Sequence, residues 1–152
     1  MPKKIHLFVA VIATLTIAVF FTSTVFVELS GSHESIATVK SLIVMPGLLI
    51  LIPAIAATGG SGVFLSKTRK GRLVDAKMKR MPFIAANGLL ILVPAAIFLD
   101  QWASAGAFDT KFYLVQTAEL LAGAINLTLM GLNMRDGLRL SGHIGAADRV
   151  AP

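Results

Sequence analysis

Four stretches of nearly uninterrupted apolar residues divide this chain, at 5–27, 41–65, 81–99 and 112–134, with short polar segments between them. None alternates with the period of two that marks a half-buried strand. A helix needs about 20 residues to cross roughly 30 Å of hydrocarbon, and these stretches are of that order. They are too long for barrel strands of roughly 10 residues, and lipid requires backbone groups to be satisfied within the segment. The pattern predicts an all-α integral membrane protein with four transmembrane helices in an antiparallel bundle. It forms one domain over residues 1–152, with a tail at 135–152.

The first stretch follows MPKK, the basic start of a secretory leader. Its apolar run of about 23 residues exceeds the roughly 7–15 of a leader core, and no clean small-x-small cleavage site follows. It reads as a retained first span. Pro82 falls at the expected first turn of the third helix, where its missing N–H costs little. Pro46, Pro53 and Pro94 lie inside spans and predict kinks.

Composition agrees with lipid as the main solvent. Apolar residues make up 55% and charged residues 14%, against about 25% charged in soluble domains. Seven of the 14 Lys and Arg residues lie between Lys67 and Arg80, in the sequence KTRKGRLVDAKMKR. Lys3 and Lys4, and Arg135, Arg139 and Arg149, fall on the same side of the alternating spans. The opposite segments, 28–35 and 100–111, hold Glu28, Glu34, Asp100 and Asp109 against one cation, Lys111. The positive-inside rule then places both termini and the 67–80 loop in the cytoplasm, in a bacterial-type inner or plasma membrane. Trp102 and Tyr113 fall at the outer interface, as amphipathic rings do. The cations sit at span ends rather than on an aromatic-interleaved face, so the net charge of +6 indicates no nucleic-acid partner. The expected partners are the lipid bilayer and, through Gly and Ala faces, other membrane proteins or a second copy. The chain has no cysteine, which excludes disulfides and thiol chemistry.

Residues 47–54, GLLILIPA, and 88–95, GLLILVPA, differ only in Ile52 against Val93. A duplication here would relate two oppositely directed spans, as in transporter folds with broken helices. The competing explanation is the common Leu, Ile, Gly and Pro content of membrane helices, since the flanking residues do not match.

Candidate chemistry is sparse. Glu119 is a carboxylate within an apolar span, which is costly and marks a candidate catalytic or proton-relay group. Helical spacing aligns it with Gly123, Asn126, Met130 and Asn133 on one stripe. It serves either as a proton relay or cation ligand, or as a neutral carboxyl that hydrogen-bonds between helices. Gln116, Thr22, Ser23 and Thr24 are its expected partners. His33 and Glu34 offer donors for an outward metal or proton site with Glu119 or Asp100, or are ordinary solvated loop residues; their spacing does not define a metal motif.

At the other end, His6 opens the first helix, and the second span finishes in Thr58-Gly59-Gly60-Ser61-Gly62. His6 with the space left by Gly59, Gly60 and Gly62 suits haem b. Basic-loop cations are available to its propionates, and Met78, Met81 or His143 to a second axial position. The alternative is an interfacial histidine beside a helix terminator. Asn87 and Asn133 lie towards the same side. Residues 4–8, KIHLF, are similar to the start of HemJ-type membrane haem proteins, small helical proteins with a His in the first span. The similarity covers little beyond His6, and the aromatic and basic residues expected further along that span are missing. It therefore implies no oxidase activity.

GGSG lacks the Lys-Ser/Thr of a phosphate loop, and neither a serine triad nor a paired-His metalloprotease motif is present. NLT at Asn126 matches a glycosylation acceptor but falls within a span. Three functions remain. The favoured one is haem b binding in membrane electron transfer or in service of a larger respiratory-type complex; the alternatives are a proton- or cation-coupled transporter working through Glu119 and a structural or assembly subunit without its own chemistry.

Overall fold

A computed structural model describes residues 2–67 and 71–140 of the chain. His143, Arg149 and residues 68–70 of the basic stretch lie outside the described residues. The described chain is helical throughout, in the order α1 (Pro2–Ser30), α2 (His33–Leu42), α3 (Leu48–Ser66), α4 (Arg72–Asn87), α5 (Val93–Ser104) and α6 (Thr110–Leu140). Two π-type turns join them, Ile43–Gly47 between α2 and α3 and Gly88–Leu92 between α4 and α5. The result is four helical runs long and apolar enough to cross a membrane, Lys4–Ser30, His33–Ser66, Arg72–Ser104 and Thr110–Leu140.

Local chemistry sets the ends. Ser32 caps α2, its Oγ accepting from the Ser35 N–H at 3.2 Å. Asp109 does the same for α6, its Oδ1 accepting from the N–H groups of Lys111 and Phe112 at 3.0 and 3.1 Å. Gly71 precedes α4 at φ 138°, a backbone conformation that side chains disfavour.

The runs extend past the apolar stretches at both ends. Residues 72–80, expected as loop, form the first turns of α4, because Leu73, Val74, Ala76 and Met78 give this basic segment an apolar side and Val74 is buried. Pro82 is therefore interior to α4 rather than at its first turn. Pro46 interrupts its run as expected, with Met45 at φ −137° and ψ 114°, outside helical geometry. Pro53 lies within α3, and Pro94 falls at the start of α5 directly after a π turn.

Packing centres on two apolar clusters. One joins Ala13 and Ile17 of α1 to Leu48, Leu51 and Ala54 of α3, with Ile84 and Met130; the other joins Val27, Ile36, Leu99, Ala103 and Phe112. α1 lies against α3 and α6, while α6 also packs on α4 and α5. Much of the apolar surface points outward, with Phe26 70%, Leu29 83%, Phe83 71% and Leu90 75% exposed.

Candidate functional site

α2 enters the fold with an ionisable side chain in its last turn. Lys40 is fully buried, and its Nζ lies 2.5 Å from Glu119 Oε2 on α6. The Glu119 side chain is 12% exposed. Gln116, one turn earlier on α6, donates from Nε2 to the same oxygen at 3.0 Å. Glu28, near the end of α1, stands within electrostatic reach of Lys40, Glu119 and His33. Transfer of two ions from water costs several kcal/mol each, so such a pair persists only with close geometry and further hydrogen bonds. Lys40 and Gln116 supply these to Glu119.

The cluster retains unused capacity. Glu28 Oε1 and Gln116 Oε1 are buried and have no hydrogen-bond partner among the described residues. The cluster thus gathers one ammonium, that of Lys40, and two carboxyl groups, those of Glu28 and Glu119.

Glu119 also forms part of the wall of an interhelical cavity of about 290 Å³. Thr24, Phe20 and Phe21 of α1, Leu51 of α3 and Val93 of α5 line it, and it reaches Asn126 and Gly59. Asn126 is fully buried. Asn87 Nδ2 donates to Asn126 Oδ1 at 2.9 Å and to the Ala122 carbonyl at 2.8 Å, which ties α4 to α6. Asn126 and Glu119 are seven residues apart, about 10 Å along the helix. Further along, Arg80 donates to Asp136 Oδ2 at 2.7 Å and to Asn133 Oδ1 at 3.4 Å. One face of α6 thus carries three polar stations, each contacted from another helix.

The expected partners of Glu119 divide. Gln116 bonds it and Thr24 shares its cavity, whereas Thr22 and Ser23 give their hydroxyls to α1 carbonyls, Ala18 at 2.8 Å and Val19 at 2.6 Å. His33 stacks on Phe108 with centroids 4.0 Å apart, Asp100 accepts from Ser41 at 2.6 Å, and Glu34 caps the first turn of α2 electrostatically. Among the described residues no group of three His, Asp or Glu side chains assembles as a metal site.

Sequence reasoning gave Lys40 no role. The available signal was its isolation, since it is the only cation between Lys4 and Lys67 and adjoins an apolar run. Arg80 and Asp136 were likewise missed as a pair, although each stands near the end of an apolar stretch.

The second candidate cluster gathers at the opposite end of α1. His6 Nδ1 and Ser61 Oγ are 2.8 Å apart. Ser61 Oγ also lies 2.6 Å from the Ala57 carbonyl oxygen, which accepts its hydroxyl hydrogen. A methyl group at Gly62 would lie 3.1 Å from Met81 Sδ and 3.4 Å from His6 Cε1, which shows that both side chains converge there. A methyl at Gly59 or Gly60 would meet nothing within 4 Å. The fold keeps this cluster apart from Glu119 and brings Met81 beside His6; His143 lies outside the described residues.

These features define the chain by class: four helices long and apolar enough to cross a membrane, with a buried ion pair on the wall of a cavity between them. No protein-family model, curated protein or solved structure matches it.

Proposed function

We propose that this chain is an integral membrane protein whose four spans form an antiparallel bundle, with both termini and the Lys67–Arg80 segment cytoplasmic, and that it carries protons or monovalent cations through the Lys40–Glu119 site. The observation that carries the reading is the fully buried Lys40 held by Glu119 on the wall of a cavity. Intramembrane ion pairs are costly and are retained where charge must enter or leave. An incoming proton or cation competes with Lys40 for Glu119, and Glu28 supplies the second carboxyl that makes the exchange neutral. The cavity gives the site a path towards Asn126, and the π turns beside it place irregular backbone where a helix can bend.

Proteoliposomes loaded with a pH-sensitive dye test this. Under an imposed monovalent-cation gradient, wild type is expected to move protons, and Glu119→Gln to lose at least tenfold of that rate. Equal flux in the two proteins would remove the reading.

A second reading, haem b binding in membrane electron transfer, has its own observation in the convergence of His6 and Met81 on Gly62. His6 and Met81 would hold the haem, and bound haem would supply one-electron redox chemistry. Purification from native membranes with a Soret band that His6→Ala abolishes would support it; a spectrum without that band would eliminate it.

A further inference from the structure

Between α4 and α6 the surface falls into a groove of about 570 Å³ whose lining residues differ from those of the ion-pair cavity. Phe83, Leu90, Ile91, Ile125 and Leu129 wall it, and Lys79 and Arg80 stand at one end. We infer that this groove binds one acyl chain of an anionic phospholipid, with the headgroup phosphate at Lys79. The inference rests on the membrane-spanning reading but not on cation carriage.

Length, polarity and charge each point to that occupant. Lys79 to Ile91 is 12 residues, an axial length of about 18 Å at 1.5 Å per residue. One leaflet contributes roughly half of the 30 Å hydrocarbon core, so the groove runs from the interface to near the midplane. Its interior offers little to a polar ligand. Asn87, the one amide on its wall, spends Nδ2 on the Ala122 carbonyl and Asn126 Oδ1. A hydrocarbon chain is the occupant such a wall accepts.

The mouth has the opposite chemistry. Arg80 is held by Asp136 and Asn133, while Lys79 is exposed on the adjoining turn surface. Besides Arg80, which Asp136 neutralises, α4 carries Arg72, Lys77 and Lys79 against Asp75, an excess of two positive charges. That excess favours an anionic headgroup over a zwitterionic one and is screened within a Debye length.

The test is native mass spectrometry of the detergent-purified chain titrated with phosphatidylglycerol or phosphatidylcholine of identical acyl chains. Wild type is expected to retain phosphatidylglycerol preferentially. Lys79→Gln should lower that preference about fivefold, the effect of roughly one basic residue at a membrane surface, and Lys79→Arg should preserve it. Ile125→Trp fills the groove and should reduce retention of both lipids; Ile125 is 56% exposed, so this change leaves the core intact. Equal retention of the two lipids by wild type would overturn the inference, as would wild-type behaviour of both Lys79→Gln and Ile125→Trp, or displacement of bound phospholipid by a quinone. Recovery of the chain from cells without detergent would instead remove the membrane-spanning reading beneath it.

Discussion

Lys40 and Glu119 are 79 residues apart in sequence and in direct contact, and neither is tolerable in an apolar interior without the other. Removing one partner of a buried pair costs about 3–5 kcal/mol, because the remaining charge is left uncompensated. Lys40→Met is therefore expected to lower stability by about that amount, read from thermal unfolding in detergent. Lys40→Met combined with Glu119→Leu should recover most of the loss, since the buried charge disappears with its partner. Additive losses in the double variant would show that the two groups are not coupled. The pair was half legible in the sequence. A carboxylate within an apolar run is conspicuous, so Glu119 stood out. A lysine at the edge of such a run is ordinary, because its stem can lie along lipid while the ammonium reaches water. Only the packing of α2 against α1 and α5 shows that Lys40 turns inward instead.

At the scale of the helices, the GLLILIPA and GLLILVPA segments keep one structural property and lose another. Both leading glycines are buried at π turns, Gly47 against Phe20 of α1 and Gly88 towards Asn126 of α6. The first π turn ends at its glycine and contains Pro46, whereas the second begins at its glycine. The repeated sequence was readable, but the register of the irregular turn depends on Pro46, which has no counterpart at Asn87. Glycines that looked alike in the sequence also separate by environment. A methyl group at Gly47 would run into Phe20 Cζ and lie 2.9 Å from the Leu42 carbonyl oxygen; part of that obstruction is backbone. At Gly60 it would meet nothing within 4 Å. Gly47→Ala is accordingly expected to destabilise by about 1–3 kcal/mol through overpacking. Gly60→Ala should be neutral or stabilise by about 0.5–1 kcal/mol, the helix-propensity difference. Parallel thermal unfolding of the two variants checks the contrast, and equal losses would contradict the packing at Gly47.

For the molecule as a whole, the Lys40–Glu119 pair changes the charge pattern that orients it. By sequence, Lys40 adds a second cation to the end that carries Glu28, Glu34, Asp100 and Asp109 and so weakens the asymmetry. Paired with Glu119, it contributes no net charge at that surface, and Lys111 alone opposes the four acids. The other end keeps Lys4, Lys67, the cations of α4, Arg135 and Arg139, with Asp136 neutralised by Arg80. The proposed orientation puts Lys67 in the cytoplasm and Ser32 outside, since the Lys and Arg excess lies at the Lys67 end. The absence of cysteine makes this directly measurable, since a single introduced thiol is the only reactive one. In intact cells a membrane-impermeant maleimide should label Ser32→Cys, in the exposed turn between α1 and α2, and should spare Lys67→Cys until the membrane is opened. Labelling of Lys67→Cys from outside with protection of Ser32→Cys would invert the orientation. Labelling of both from outside would show that the run His33–Ser66 does not cross the membrane.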